Sequence, residues 1–155
     1  MSMDRTVYGM LSLCFRMILG VVFLYAGIVK IIDPAGFALA ISNYRILPDI
    51  LVNAVAIVLP FLEVFAGAAL IAGIVIPGSS LVVTGLLLIF FCALFISLVR
   101  GLDISCGCFS TSYRADPVTW LYLVRDGTLI FMGGFVFFFD QGMFSLEKYL
   151  CSRKT

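Results

Sequence analysis

The chain has 155 residues, the length of one domain, and residues 1–155 are read as a single transmembrane unit. Its 63% hydrophobic and 12% charged content, with a mean hydropathy of +1.17, excludes an ordinary soluble protein. A formal net charge of +1 leaves no basic surface for nucleic acid, and the absence of histidine removes the commonest general base and metal ligand.

Four apolar runs reach the ~20 residues that a bilayer demands. The first extends from about Tyr8 to Ile32 and is broken only by Arg16 and Lys30. It is too long for a signal-peptide core and lacks a small-residue cleavage site, so no removable leader is expected. A connector from Asp33-Pro34 to Pro48-Asp49 follows, with Phe37, Leu39, Ile41, Tyr44 and Ile46 among polar residues. That pattern predicts a short amphipathic helix lying in the interface.

The second run extends from about Ile50 to Ile76, broken only by Glu63, and Pro77-Gly78-Ser79-Ser80 is expected to form a tight turn after it. The third, Leu81 to Val99, carries no charge; the fourth, Val118 to Phe139, carries Arg125-Asp126. Lipid cannot satisfy exposed backbone groups, so each span must be helical. The expected fold is all-α: an integral membrane four-helix bundle with a short interfacial helix between spans one and two. Four spans place both termini on one face. Lysine and arginine do not orient the bundle, because Arg5, Lys148, Arg153 and Lys154 on the terminal side balance Lys30, Arg45, Arg100 and Arg114 on the other.

Between spans three and four lies Ile104-Ser105-Cys106-Gly107-Cys108-Phe109-Ser110. A disulfide between Cys106 and Cys108 closes a very small ring, and strain of that kind favours exchange over stapling. Redox activity, a soft-metal pair and a structural bond all remain open for these thiols. A metal requires further ligands, such as Cys92, Asp103 or Asp116, and none is expected. Cys14, Cys92 and Cys151 are expected to be buried apolar cysteines, with Cys92 a candidate resolving thiol by its position.

Glu63, Arg125 and Asp126 fall near mid-membrane and Arg16 nearer the terminal face, so the four are expected to pair inside the bundle. Such a network serves either as a clasp or as a proton or solute path. Tyr25, Tyr44, Trp120 and Tyr122 near helix ends fit an interfacial aromatic belt, with a quinone pocket as the alternative; no other cofactor is expected.

Arg16 to Gly20 with Phe23, Ala26-Gly27, Lys30 and Asp33-Pro34, then Leu59-Pro60 to Glu63 with Gly67, form one set of markers. Arg100-Gly101 before Ser105-Cys106-Gly107-Cys108-Phe109, and Arg125-Asp126 with Leu129, complete them. Together they resemble the DoxX-like superfamily of four-helix membrane proteins and, within it, the MauE branch. Ser110 stands where that branch usually has glycine after the phenylalanine. The resemblance covers most of residues 16–130. It implies a redox-associated protein beside a thioredoxin-like partner outside the cytoplasm. The expected function is thiol–disulfide exchange through Cys106 and Cys108 with a thioredoxin-fold partner. The expected location is a bacterial-type inner membrane, with cytoplasmic termini, because disulfides persist outside the cytoplasm. The alternative is a non-catalytic scaffold or small-solute carrier built on Arg16, Glu63, Arg125 and Asp126.

Overall fold

The computed structural model describes residues 2–44, 46–100 and 120–139. Five helices follow in chain order: α1 (Ser2–Ile32), α2 (Pro34–Asn43), α3 (Asp49–Ala72), α4 (Ile76–Val99) and α5 (Trp120–Phe139). All but α2 are long and apolar enough to cross a membrane. They pack as a closed ring in which α1 touches α3 and α5, and α4 touches the same two. Successive spans run in opposite directions, as short connectors require. The Tyr8 ring lies 5.8 Å from that of Phe139, which puts the start of α1 and the end of α5 on one face.

Exposed Ile, Val, Leu and Phe side chains cover the outside of the bundle, the distribution expected of a protein solvated by lipid. Inside, Leu19, Phe23, Leu70, Val83, Leu129 and Val136 belong to the main apolar cluster. A small second cluster, Leu94 and Leu123, sits nearer the face where α4 ends and α5 begins.

The expected turn after span two is displaced. α3 stops at Ala72, and Gly73 takes the left-handed conformation (φ 68°, ψ 37°) in which glycine has no Cβ penalty. The Gly73 N–H donates to the Leu70 carbonyl and that of Ile74 to the Ala69 carbonyl, which satisfies the last turn in the Schellman manner. Pro77-Gly78-Ser79-Ser80 is not the turn but the opening of α4. Proline is tolerated there because the first helical N–H groups have no partner within the helix. The cost falls on Val75, a β-branched residue held at φ 46°.

The short helix between spans one and two is present. Asp33 caps it by accepting a 2.9 Å hydrogen bond from the Gly36 N–H, and Pro34 occupies the first turn. Its buried residues are Phe37 and Ala40, and it packs mainly on α3. A step in the bundle makes room for it. Gly27 lies against the Pro60 carbonyl, where a Cβ would stand 2.8 Å from the oxygen. From that level α1 continues to Ile32 whereas α3 reaches back to Asp49, so α3 overshoots α1 by roughly six residues, about 9 Å.

Candidate functional site

Along α1, Arg16, Phe23 and Lys30 recur every seven residues and all three are buried. That spacing keeps side chains on one inward seam, so the helix carries two cations into the bundle rather than to its ends. Glu63 lies on the matching seam of α3, seven residues from both Ala56 and Leu70, which are also buried.

The Lys30 ammonium donates to Glu63 Oε1 at 2.5 Å, with both side chains essentially inaccessible. Two aromatic rings flank the same ammonium: Phe37 of α2 at 5.0 Å and Phe90 of α4 at 4.8 Å from ring centroids. On α5, the Arg125 Nε and terminal nitrogen both donate to Asp126 Oδ1, at 2.9 and 2.8 Å. The Asp126 side chain is buried, whereas that of Arg125 is one-third exposed and its guanidinium lies 5.2 Å from the Tyr122 ring centroid.

These two pairs surround one cavity of about 30 Å³, closed by Val22, Phe23, Ala26, Leu87, Phe90 and Leu129. The volume accommodates one or two water molecules. Glu63 Oε2 is buried and accepts no hydrogen bond among the described residues. Glu63, Arg125 and Asp126 therefore line one cavity, but the counter-ion of Glu63 is Lys30. Arg16, fully buried, does not line the cavity, and fourteen residues of helix place it about 21 Å from Lys30 along α1.

Lys30 is the residue that sequence reasoning missed. Counted with the connector, it looked like a charge at the membrane surface. Its seven-residue spacing from Phe23 was the signal that it belongs to the core seam.

A second, apolar chamber of about 200 Å³ lies between α2, α3 and α4, lined by Phe37, Tyr44, Leu47, Leu59, Ile89 and Phe90, among others. Phe37 is common to this chamber and to the Lys30 site, and Phe90 lines both cavities. Tyr25 and Trp120 are exposed on the outer surface, as an aromatic belt requires. Tyr44 lines the chamber and Tyr122 faces Arg125 instead.

Cys14 and Cys92 are free thiols on the exposed outer surface, not in the core. This corrects the expectation of burial: an outward cysteine in lipid loses nothing by leaving the bundle, since the surroundings are equally apolar. Cys106, Cys108 and Cys151 lie outside the described residues. Among the described residues no group of three His, Cys, Asp or Glu side chains is placed to hold a metal ion.

An all-helical, multi-pass membrane protein with a polar layer inside its bundle is the class that these observations define. The chain belongs to the family described as Methylamine utilisation protein MauE, which it matches over residues 8–139. It is 32% identical over 124 residues to a Methylamine utilization protein MauE from Paracoccus denitrificans, covering 79% of this chain and 66% of the relative. It is 29% identical over 118 residues to the protein of the same name from Paracoccus versutus, covering 76% and 63%. The matched region is thus just under two thirds of those relatives' length. No solved structure matches.

Proposed function

We propose that this chain is a membrane thiol–disulfide protein in which Cys106 and Cys108 exchange electrons with a thioredoxin-fold partner. The observation that carries the reading is the pair of thiols one residue apart, in the polar connector between α4 and α5 of a MauE-family bundle. The name of the Paracoccus relatives extends the proposal to methylamine utilisation, with exported proteins of that process as clients. The thiols face the extracytoplasmic side of a bacterial-type inner membrane, and the termini are cytoplasmic.

The step is attack of one thiolate on a disulfide. In the oxidising direction a client thiolate attacks the Cys106–Cys108 bond, forming a mixed disulfide with Cys106 and releasing Cys108 as a thiolate. A second client thiolate then expels Cys106. Two electrons and two protons have reached this chain, and the client holds the new disulfide. A membrane quinone that takes up both and leaves as quinol returns the pair to its oxidised form. The apolar chamber beside Phe37 and Phe90 supports such a lipid-soluble acceptor.

Equilibrating the folded protein in glutathione buffers and counting free thiols by mass tests the proposal. Reversible loss of two thiols at Cys106 and Cys108 is expected, and so is a covalent partner adduct in Cys108→Ser, because in the reverse direction the Cys106 thiolate attacks the disulfide of an oxidised partner and no Cys108 thiolate remains to release it. Thiols that never oxidise across the range overturn it. Labelling of Cys106 by an impermeant maleimide in intact cells checks the orientation; labelling only after lysis reverses it.

A non-catalytic scaffold or solute carrier is the second reading, favoured by the four charges around the cavity. At about 30 Å³ that cavity is too small for a solute larger than a water or two in this conformation.

A further inference from the structure

A clasp that only held helices together would leave no acceptor of its ion pairs idle. Here Glu63 Oε1 takes the Lys30 ammonium, while Oε2 is buried and unmatched among the described residues. Glu63 also lines a cavity large enough for water. Replacing buried ion pairs by apolar side chains is commonly neutral or stabilising, so stability alone does not account for four charges at this level. We propose that the cavity is a hydrated proton-exchange site in which Glu63 is the group that gains and loses the proton.

Every element around Glu63 fits that role. From α1 comes Lys30, and from α5 come Arg125 and Asp126; α4 contributes Leu87 and Phe90, which do not titrate. Phe37 of α2 covers the ammonium on one side. The formal charges of the quartet sum to zero. A proton delivered by cavity water joins Glu63 Oε2, the carboxylate becomes a carboxyl, and the quartet passes from 0 to +1. The reverse step returns the proton to water. Asp126 remains as the anion that makes the added charge tolerable, and Arg125, one-third exposed, marks the side on which the quartet meets its surroundings. Arg125 lies five residues after Trp120 and fourteen before Phe139, so that side is nearer the face where α4 ends and α5 begins.

Infrared difference spectroscopy on the full chain in lipid nanodiscs tests this. The sequence holds two glutamates, Glu63 and Glu147, so ¹³C-glutamate labelling separates them from every aspartate without a substitution. A step in pH is expected to produce a carboxyl band that moves with ¹³C-glutamate and shifts in D₂O within the time of solvent exchange. The band should persist in Glu147→Gln and vanish in Glu63→Gln. Ala26→Leu, which fills the cavity without touching the charges, should slow the deuterium shift at least tenfold. Absence of a glutamate band that is lost in Glu63→Gln, over the pH range in which wild type stays folded, overturns the proposal. So does a band whose deuterium shift requires unfolding. Neither readout depends on the oxidation state of Cys106 and Cys108, so the thiol reading and this one fail separately.

Discussion

Gly67 of α3 lies against the backbone of α1, where an added Cβ would stand 2.8 Å from the Gly20 carbonyl oxygen. Across the bundle, Gly133 of α5 lies against a side chain, Thr84, and its carbonyl accepts a 3.0 Å hydrogen bond from the Ser80 hydroxyl. The α1–α3 seam is therefore closed by backbone meeting backbone and carries the Lys30–Glu63 pair, whereas the α4–α5 seam is closed by hydroxyls meeting a helix. In lipid, apolar burial does not distinguish helix from lipid tail, so close packing and polar contacts decide which helices associate. The two seams divide those means between them. The first brings backbone carbonyls of each helix against glycines of the other, with Ile71 and Val64 side chains filling in beside them, and the second is held by hydroxyl side chains.

Substitutions that separate the seams follow from this, the largest first. Glu63→Ala leaves the Lys30 ammonium buried without its anion and is expected to destabilise the bundle by about 3–5 kcal/mol. Lys30→Met combined with Glu63→Met should recover most of that loss. Unfolding in a detergent titration measures both, and a Glu63→Ala variant as stable as wild type would remove the pair from the seam's energetics. Gly67→Val forces two backbones apart and should cost about 1–3 kcal/mol as an overpacked contact. Gly134→Val, where a Cβ meets nothing within 4 Å, should change melting little. Equal effects at the two glycines would show that the loss at Gly67 does not come from the close α1–α3 contact. Ser80→Ala removes one interhelical hydrogen bond and should cost only about 0.6 kcal/mol, the average for such bonds in a membrane bundle. A loss several times larger would show that the α4–α5 seam is as unforgiving as its neighbour.

The apolar runs fixed four helices in the sequence because length and hydropathy suffice to place a span, whatever its neighbours do. Their ends were less legible. Ile74 and Val75 continue the apolar run without interruption, so nothing in composition marked Gly73 as the stop; the turn depends on its left-handed backbone. Conversely, Pro77-Gly78-Ser79-Ser80 has turn composition but proline also suits a helix start, and there the helix won.

In the candidate site, Glu63, Arg125 and Asp126 were legible because an ionisable residue at mid-membrane depth stands out. Lys30 was not, because its depth depends on where α3 stands beside it. Counting from the end of span one puts it two residues from the edge, but the Gly27–Pro60 contact sets Glu63 deeper than the Lys30 backbone, and the long Lys30 side chain reaches back along α1 to meet it. Phe37 and Phe90 were illegible for a related reason: an aromatic residue among many carries no mark of the cation it will face.

The step left by the unequal ends of α1 and α3 reaches beyond the protein. A bilayer matches its hydrocarbon thickness to the apolar surface it touches, at a modest cost for every ångström of disagreement. On the α3 flank that surface continues to the exposed Ile50 and Leu51, while on the α1 flank it stops at Ile32, about 7.5 Å below Ile50. Leu39 and Ile46, exposed on and just after α2, cover part of the gap. Lipids around this bundle therefore meet a rim of uneven height, and the leaflet must dip beside α1. That local thinning brings headgroups and water down toward the level of Lys30 on one side only, giving the membrane around the protein a direction as well as a depth.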